Sequence, residues 1–174
     1  MPEHRPETPS EFRILESFLW HDFETARSDW NAWVLRKLPE TSEAAARAAF
    51  HRAIELHGAL RWLQAANSGM KIGINLAASL ETLNRLITYY RIQPRLREIG
   101  YLSLASESPS NPVSHLLLMA LSALQSGSWR RFKLCSDPEC RASYYDASKA
   151  ATKTWCSMAT CGSRNKMRRY RARI

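Results

Sequence analysis

No apolar run in these 174 residues reaches the roughly 18 needed to cross a bilayer. The longest, over residues 116–124, suits a buried helix of a soluble protein. The N-terminal MPEHRPETPSEFR lacks the basic-then-apolar layout of a secretory leader. The chain is therefore expected in the cytoplasm, with no membrane partner. Phosphate-cradling loops are missing as well, since Gly69 and Gly73 lack the required neighbours. His4, His21, His51, His57 and His115 are scattered, with no His-Glu-x-x-His pair and no Gly-x-Ser-x-Gly elbow. His21-Asp22, without partners, reads as two polar residues on an amphipathic helix rather than half of a metal-phosphohydrolase signature. No catalytic constellation emerges, and the chain is read as a non-enzyme.

Cysteine is absent before residue 135, and acidic residues are scarce beyond residue 127. Residues 1–127 hold 13 Lys+Arg and 13 Asp+Glu, so they are neutral; residues 128–174 hold 12 and 3. The whole net charge of +9 thus lies in the last 47 residues, together with all four cysteines. Two composition shifts at one point, in Gln125-Ser126-Gly127-Ser128, mark a larger neutral domain (1–127) followed by a small basic one (128–174). A basic module of this density calls for a polyanion.

The first domain reads as helical. Phe12, Leu15, Leu19 and Phe23 recur at helical spacing over 11–26. Trp30, Trp33 and Leu35 continue the pattern until Pro39, and the scattered tryptophans belong to the core. Ser42 is placed to cap a helix to about residue 67, with Ala49, Ala53, Leu56, Leu60 and Leu63 on one face and Gly69 as its stop. His57, at the edge of that face, reads as packed or half-exposed. Ser79 is expected to cap a further helix carrying Leu80, Leu83 and Ile87. Alternating runs at 95–99 and 101–104 around Gly100 predict a small β-hairpin. Asn111 and Pro112 open a central helix that Gly127 ends. The fold class is mainly α, with one hairpin and a compact cysteine-bearing tail.

That tail reads Cys135-x4-Cys140-x15-Cys156-x4-Cys161. Two close pairs with a spacer are what a tetrahedral thiolate zinc site needs, each pair offered by a tight turn. Two disulfides suit a reducing compartment poorly. A redox relay favours Cys-x-x-Cys, and an iron–sulfur cluster fits paired knuckles less well than zinc. Four protein ligands leave no open position, so the expected Zn2+ is single and structural. After Cys161, the residues Met167, Tyr170 and Ile174 form an apolar stripe expected to lie on the knuckles. Arg164, Arg168 and Arg171 fall on one flank, and Lys166, Arg169 and Arg173 on the other. A short helix presenting these groups outward suits DNA bases and phosphates. Tyr144, Tyr145, Trp155 and Tyr170, interleaved with basic residues, keep open a single-stranded RNA reading. Trp155 is also placed to shield the metal.

The run Cys-x4-Cys, Tyr-Tyr-Asp-x-Ser, then Trp155-Cys156-Ser-Met-x-x-Cys161-Gly162-x-Arg164-x-Lys166-x-Arg168-Arg169 resembles the CGNR zinc-finger proteins. These are bacterial proteins with an N-terminal helical ABATE domain, described as stress-induced transcription regulators. The resemblance implies zinc on Cys135, Cys140, Cys156 and Cys161 and DNA contact from the finger and its basic helix. The motif's Asn is Ser163 here; that position either caps the final helix, where Ser substitutes well, or reads a base. The expectation is a zinc-dependent regulator bound to double-stranded DNA, whose first domain senses a small-molecule effector or forms a homodimer. The alternatives are a ligand-binding helical protein with a purely structural finger, or an RNA-binding module.

Overall fold

The computed structural model describes residues 8–21, 27–70, 75–98 and 100–173. Five helices form the first part of the chain: α1 (Arg13–Trp20), α2 (Arg27–Lys37), α3 (Glu43–Asn67), α4 (Leu76–Tyr89) and α5 (Pro112–Gln125). Between α4 and α5 lies an antiparallel hairpin, β1 (Gln93–Glu98) and β2 (Tyr101–Ala105), which turns at Gly100 with φ 84°. A second hairpin, β3 (Phe132–Leu134) and β4 (Ser143–Tyr145), precedes the final helix α6 (Ser163–Arg171). The chain is mainly helical, as its periodicity predicts, and carries the expected hairpin around Gly100 together with a second one that the periodicity does not predict. Among the described residues no helix is long and apolar enough to cross a membrane.

The 25-residue α3 is the spine. Ser42 caps it by accepting the Ala45 N–H at 3.2 Å, and Ala49, Ala53, Leu56 and Leu60 are buried. Trp30 and Trp33 of α2 stack at 5.8 Å, and Phe18 of α1 meets both rings. His57 is buried with its ring 5.3 Å from that of Phe18. Helix α5 is capped by Asn111, whose Oδ1 accepts from Val113 and Ser114, and Leu116, Leu117 and Ala120 go to the core. Gly127, at φ 72°, follows its end.

Two boundaries differ from expectation. Of the helix expected over 11–26, the described residues form an α-helix from Arg13 to Trp20, after which His21 turns extended with its Nδ1 2.7 Å from the Ser17 carbonyl. Asp22 and Phe23 lie outside the described residues, as do His4, Gly73 and Ile174. Helix α4 starts three residues before Ser79. Asn75 is the cap, taking the Ala78 N–H at 2.9 Å, while Ser79 is buried and donates to the Asn75 carbonyl. Both residue types can cap; the earlier one lets Leu76 and Ser79 enter the helix.

The second hairpin is fastened to the last turn of α3. Asn67 Nδ2 donates to the carbonyls of Trp129 and Phe132 at 2.7 and 3.0 Å. Ser68 Oγ accepts the Leu134 N–H at 2.8 Å, and Gln64 Nε2 donates to Ser143 Oγ at 2.6 Å. Phe132 is fully buried among Phe12, Trp129 and Tyr145, with ring centroids 5.8, 5.2 and 5.1 Å away. The composition boundary at 127 therefore precedes three residues, Trp129, Phe132 and Tyr145, that pack into the helical core.

Candidate metal centre and the basic helix

Strand β3 delivers Cys135 at its end, where the Cys135 N–H donates to the Ala142 carbonyl at 2.8 Å. The chain then turns on Asp137, whose carbonyl accepts from Cys140 and Arg141 at 3.0 and 3.1 Å, and Arg141 takes a left-handed φ of 48°. Cys140 is thereby swung back towards Cys135. The second pair is presented differently, by a five-residue π turn, Met158–Gly162, that leads straight into α6. Ser157 caps this turn, its Oγ accepting the Thr160 N–H, while its carbonyl accepts from Cys161 and Gly162 at 3.0 Å each. A π turn holds one residue more than an α turn, which accommodates the x4 spacing.

All four sulfurs lie within 4.8 Å of one another. Cys140 Sγ is 3.6 Å and Cys161 Sγ 3.7 Å from Cys156 Sγ. A tetrahedral zinc with bonds of about 2.3 Å sets sulfur–sulfur edges near ~3.8 Å, so the donor set fits the metal in number, type and spacing. Its electrostatics agree. Burial, aided by the neighbouring sulfurs, pushes the Cys156 thiol up to about 11 and raises Cys161 further. Cys140 is held below its ordinary value despite its burial, by the Ala142 backbone and the other sulfurs. Four crowded thiols cannot all ionise alone, and a dication supplies the missing charge. The four cysteines make a site for one structural Zn2+, with no ligand position left for chemistry. Trp155 packs, partly buried, against this sulfur cluster.

Helix α6 is held to the centre by charge, contrary to the expected apolar stripe. It buries no residue; Met167 and Tyr170 are exposed, at 51% and 62%, so they do not lie on the knuckles. Instead Arg164 and Arg168 reach Asp137, inside the first cysteine pair, with nitrogens 3.1 Å from its two oxygens. Both also pair with Glu139, Arg164 at 3.4 Å and Arg168 more closely. Asp137 is fully buried. Burial works against its ionisation, but the Arg168 hydrogen bond, the Glu139 N–H and the Arg164 charge hold its carboxyl below the usual range. The physical reason is solvation. Two guanidiniums find a buried carboxylate, while an apolar stripe on a nine-residue helix has only a tiny cluster to bury against.

Ser163 does not cap α6, which follows the π turn from Gly162 with no side-chain cap; Ser163 is exposed and its Oγ donates to the Met158 carbonyl at 3.3 Å. Gly162 fits by lacking a side chain, since a Cβ there would come within 3.2–3.3 Å of Met158 and Trp155. Lys166, Arg169 and Arg173 line an open groove of about 580 Å3 with Trp155, Met158 and Tyr170. Arg171 is also exposed. Among the described residues, no carboxylate pairs with Lys166, Arg169, Arg171 or Arg173.

Sequence reasoning gave no role to Asp137, Glu139 or the buried pair Lys133–Asp146, although Asp146 stands in the Tyr-Tyr-Asp-x-Ser run. A signal was available: the basic tail has three acidic residues, and two of them fall inside one cysteine pair.

Against known families, residues 131–174 match the model of the CGNR zinc finger. The match includes all four cysteines and α6, and it does not extend to residues 1–130. A comparison with curated proteins finds no match.

Proposed function

We propose that this protein is a cytoplasmic transcription regulator that binds double-stranded DNA with the outer face of α6, which zinc and the Asp137 clamp hold in place. The observation that carries this reading is the division of charge on α6. Arg164 and Arg168 are spent on carboxylates, while Lys166, Arg169 and Arg173 face an open groove on a helix that buries nothing. A short basic helix standing clear of its domain suits a major groove, with guanidiniums to base edges and phosphates. The site set is accordingly Lys166, Arg169, Arg171 and Arg173 for DNA, with Arg164 and Arg168 as positioning residues. A finger of this size buries little DNA surface alone, so a homodimer reading two half-sites completes the proposal. Residues 1–127 supply its ABATE-like sensing or dimerisation part. A single-stranded RNA reading keeps one favourable observation, the Trp155 and Tyr170 rings in the same groove.

The test is a salt titration of the full zinc-loaded chain on pooled genomic duplex fragments, with the retained fragments sequenced. Replacing Lys166, Arg169 and Arg173 by Ala should lower the log–log salt slope by about 2–3, near 0.9 per lost phosphate contact. Asp137→Ala makes the chain more positive, so charge counting alone predicts tighter binding. The clamp predicts selective binding weakened by about tenfold or more, because α6 loses its orientation. Unchanged slopes in the triple variant, or tighter selective binding by Asp137→Ala, would refute the proposal. A consistent preference for single strands would move it to RNA.

A further inference from the structure

A second hollow, of about 300 Å3, opens where α3 meets the first cysteine pair. It shares no residue with the α6 groove. Arg61, Trp62 and Met70 form its walls with Arg141, the residue directly after Cys140. We propose that this hollow binds a small planar aromatic carboxylate, its ring against Trp62 and Met70 and its carboxylate between Arg61 and Arg141. The site is independent of the nucleic-acid reading.

The volume lies at the small end of ligand pockets, and the lining mixes apolar side chains with two convergent cations, as such pockets do. Among the described residues that line it, none is acidic. The Arg61 guanidinium is steered by a hydrogen bond to the Arg141 carbonyl at 3.1 Å. Arg141 Nη1 donates to Met70 Sδ at 3.1 Å. A thioether sulfur is a weak acceptor, so a charged fork of donors is matched here to a poor partner. A carboxylate is the partner whose geometry and charge fit that fork. Arg141 is kept at its left-handed φ by the knuckle turn, an uncommon conformation for a residue with a side chain. Trp62 stays 44% exposed, its indole available to a flat ligand.

Gly58 gives the second, independent indication. It lies in the interior of α3, where glycine is a poor helix former. A Cβ built on it meets no atom of the described residues within 4 Å, and the residue lines the hollow. Among the described residues no packing constraint requires the missing side chain; what its absence leaves is room. Because Arg141 adjoins a cysteine of the metal centre, an occupant would tie the helical part of the molecule to the zinc knuckle.

The zinc-loaded full chain would be titrated with 1-naphthoate and with neutral 1-naphthalenemethanol, by calorimetry and by amide and indole NMR shifts. The carboxylate should bind at least about tenfold tighter than the alcohol, moving the Gly58 amide and the Trp62 indole while leaving the Trp155 indole still. Gly58→Leu, which favours the helix and fills the hollow, should weaken binding by about tenfold or more with zinc content and melting temperature kept. Arg141→Gln should do likewise. Equal affinity for acid and alcohol, shifts centred on Trp155, or undiminished binding by Gly58→Leu would each overturn the assignment. These outcomes do not depend on whether α6 binds DNA.

Discussion

Removing zinc, by chelation or by Cys156→Ser, should melt residues 135–142 and 154–171 while leaving α3, α5 and the β3–β4 hairpin folded. The apolar material around the metal is small: four cysteines with Tyr144, Ala142 and Trp155. A cluster of that size cannot offset the chain entropy of ordering two knuckles and a helix. The metal supplies the difference, and structural zinc contributes about 10–16 kcal/mol in finger peptides near neutral pH. The hairpin has a separate anchorage, since Phe132 belongs to the main core and Asn67, Ser68 and Gln64 hold its backbone and Ser143. Hydrogen exchange read by mass spectrometry should show protection lost over α6 and the π turn, unchanged over α3, and restored by added zinc. The nucleic-acid binding we propose should vanish with it, because the orientation of α6 depends on both knuckles. Protection persisting over 156–171 without metal would show that the ion pairs alone hold the helix, and global unfolding would show that the core needs the metal.

The elements legible in the sequence are those specified within a few residues. Ser42 capping Ala45, Asn111 before Pro112, the turn at Gly100 and the two cysteine pairs each depend on side chains close in the chain. What the sequence did not disclose is set by distant partners. The seat of α6 is decided by Asp137, 27 residues before Arg164 and 31 before Arg168, and helical periodicity carries no information about that pairing. Periodicity put Met167 and Tyr170 inward because an amphipathic pattern implies a buried face only where there is a core to receive it. Strands β3 and β4 are three residues each and buried through most of their length, too short for an alternating pattern. Gln64, Asn67 and Ser68 look like the polar end of a helix, yet they are the donors and acceptor that hold the metal-bearing segment to α3.

The other large effect is expected from Asp146, which is fully buried and organises the loop between the two knuckles. Its Oδ2 takes the Lys133 ammonium at 2.8 Å and the Lys153 N–H at 2.8 Å, and its Oδ1 takes the Ser148 N–H and hydroxyl. Lys133, itself buried, also donates to the carbonyls of Ala151 and Lys153. Asp146→Ala strands that ammonium and empties four donors at once. Breaking a buried pair this way costs about 3–5 kcal/mol, which should appear in urea denaturation at pH 7. Lys133→Met should be comparably harmful, because the carboxylate is then left with neutral donors only. The double variant Lys133→Met, Asp146→Ala should cost clearly less than the sum of the two, since no charge is left buried. Burial opposes ionisation of Asp146, but Lys133, Ser148 and Lys153 hold its carboxyl below the ordinary value. A depressed acid contributes stability above its unfolded value of about 3.9 and loses it as the pH falls through the lower folded value. The gap between the unmutated chain and Asp146→Ala should therefore be constant from pH 7 to about 5 and shrink below about 4. A gap that stayed constant down to pH 2 would mean that the hydrogen bonds of the neutral acid, rather than its charge, hold the loop.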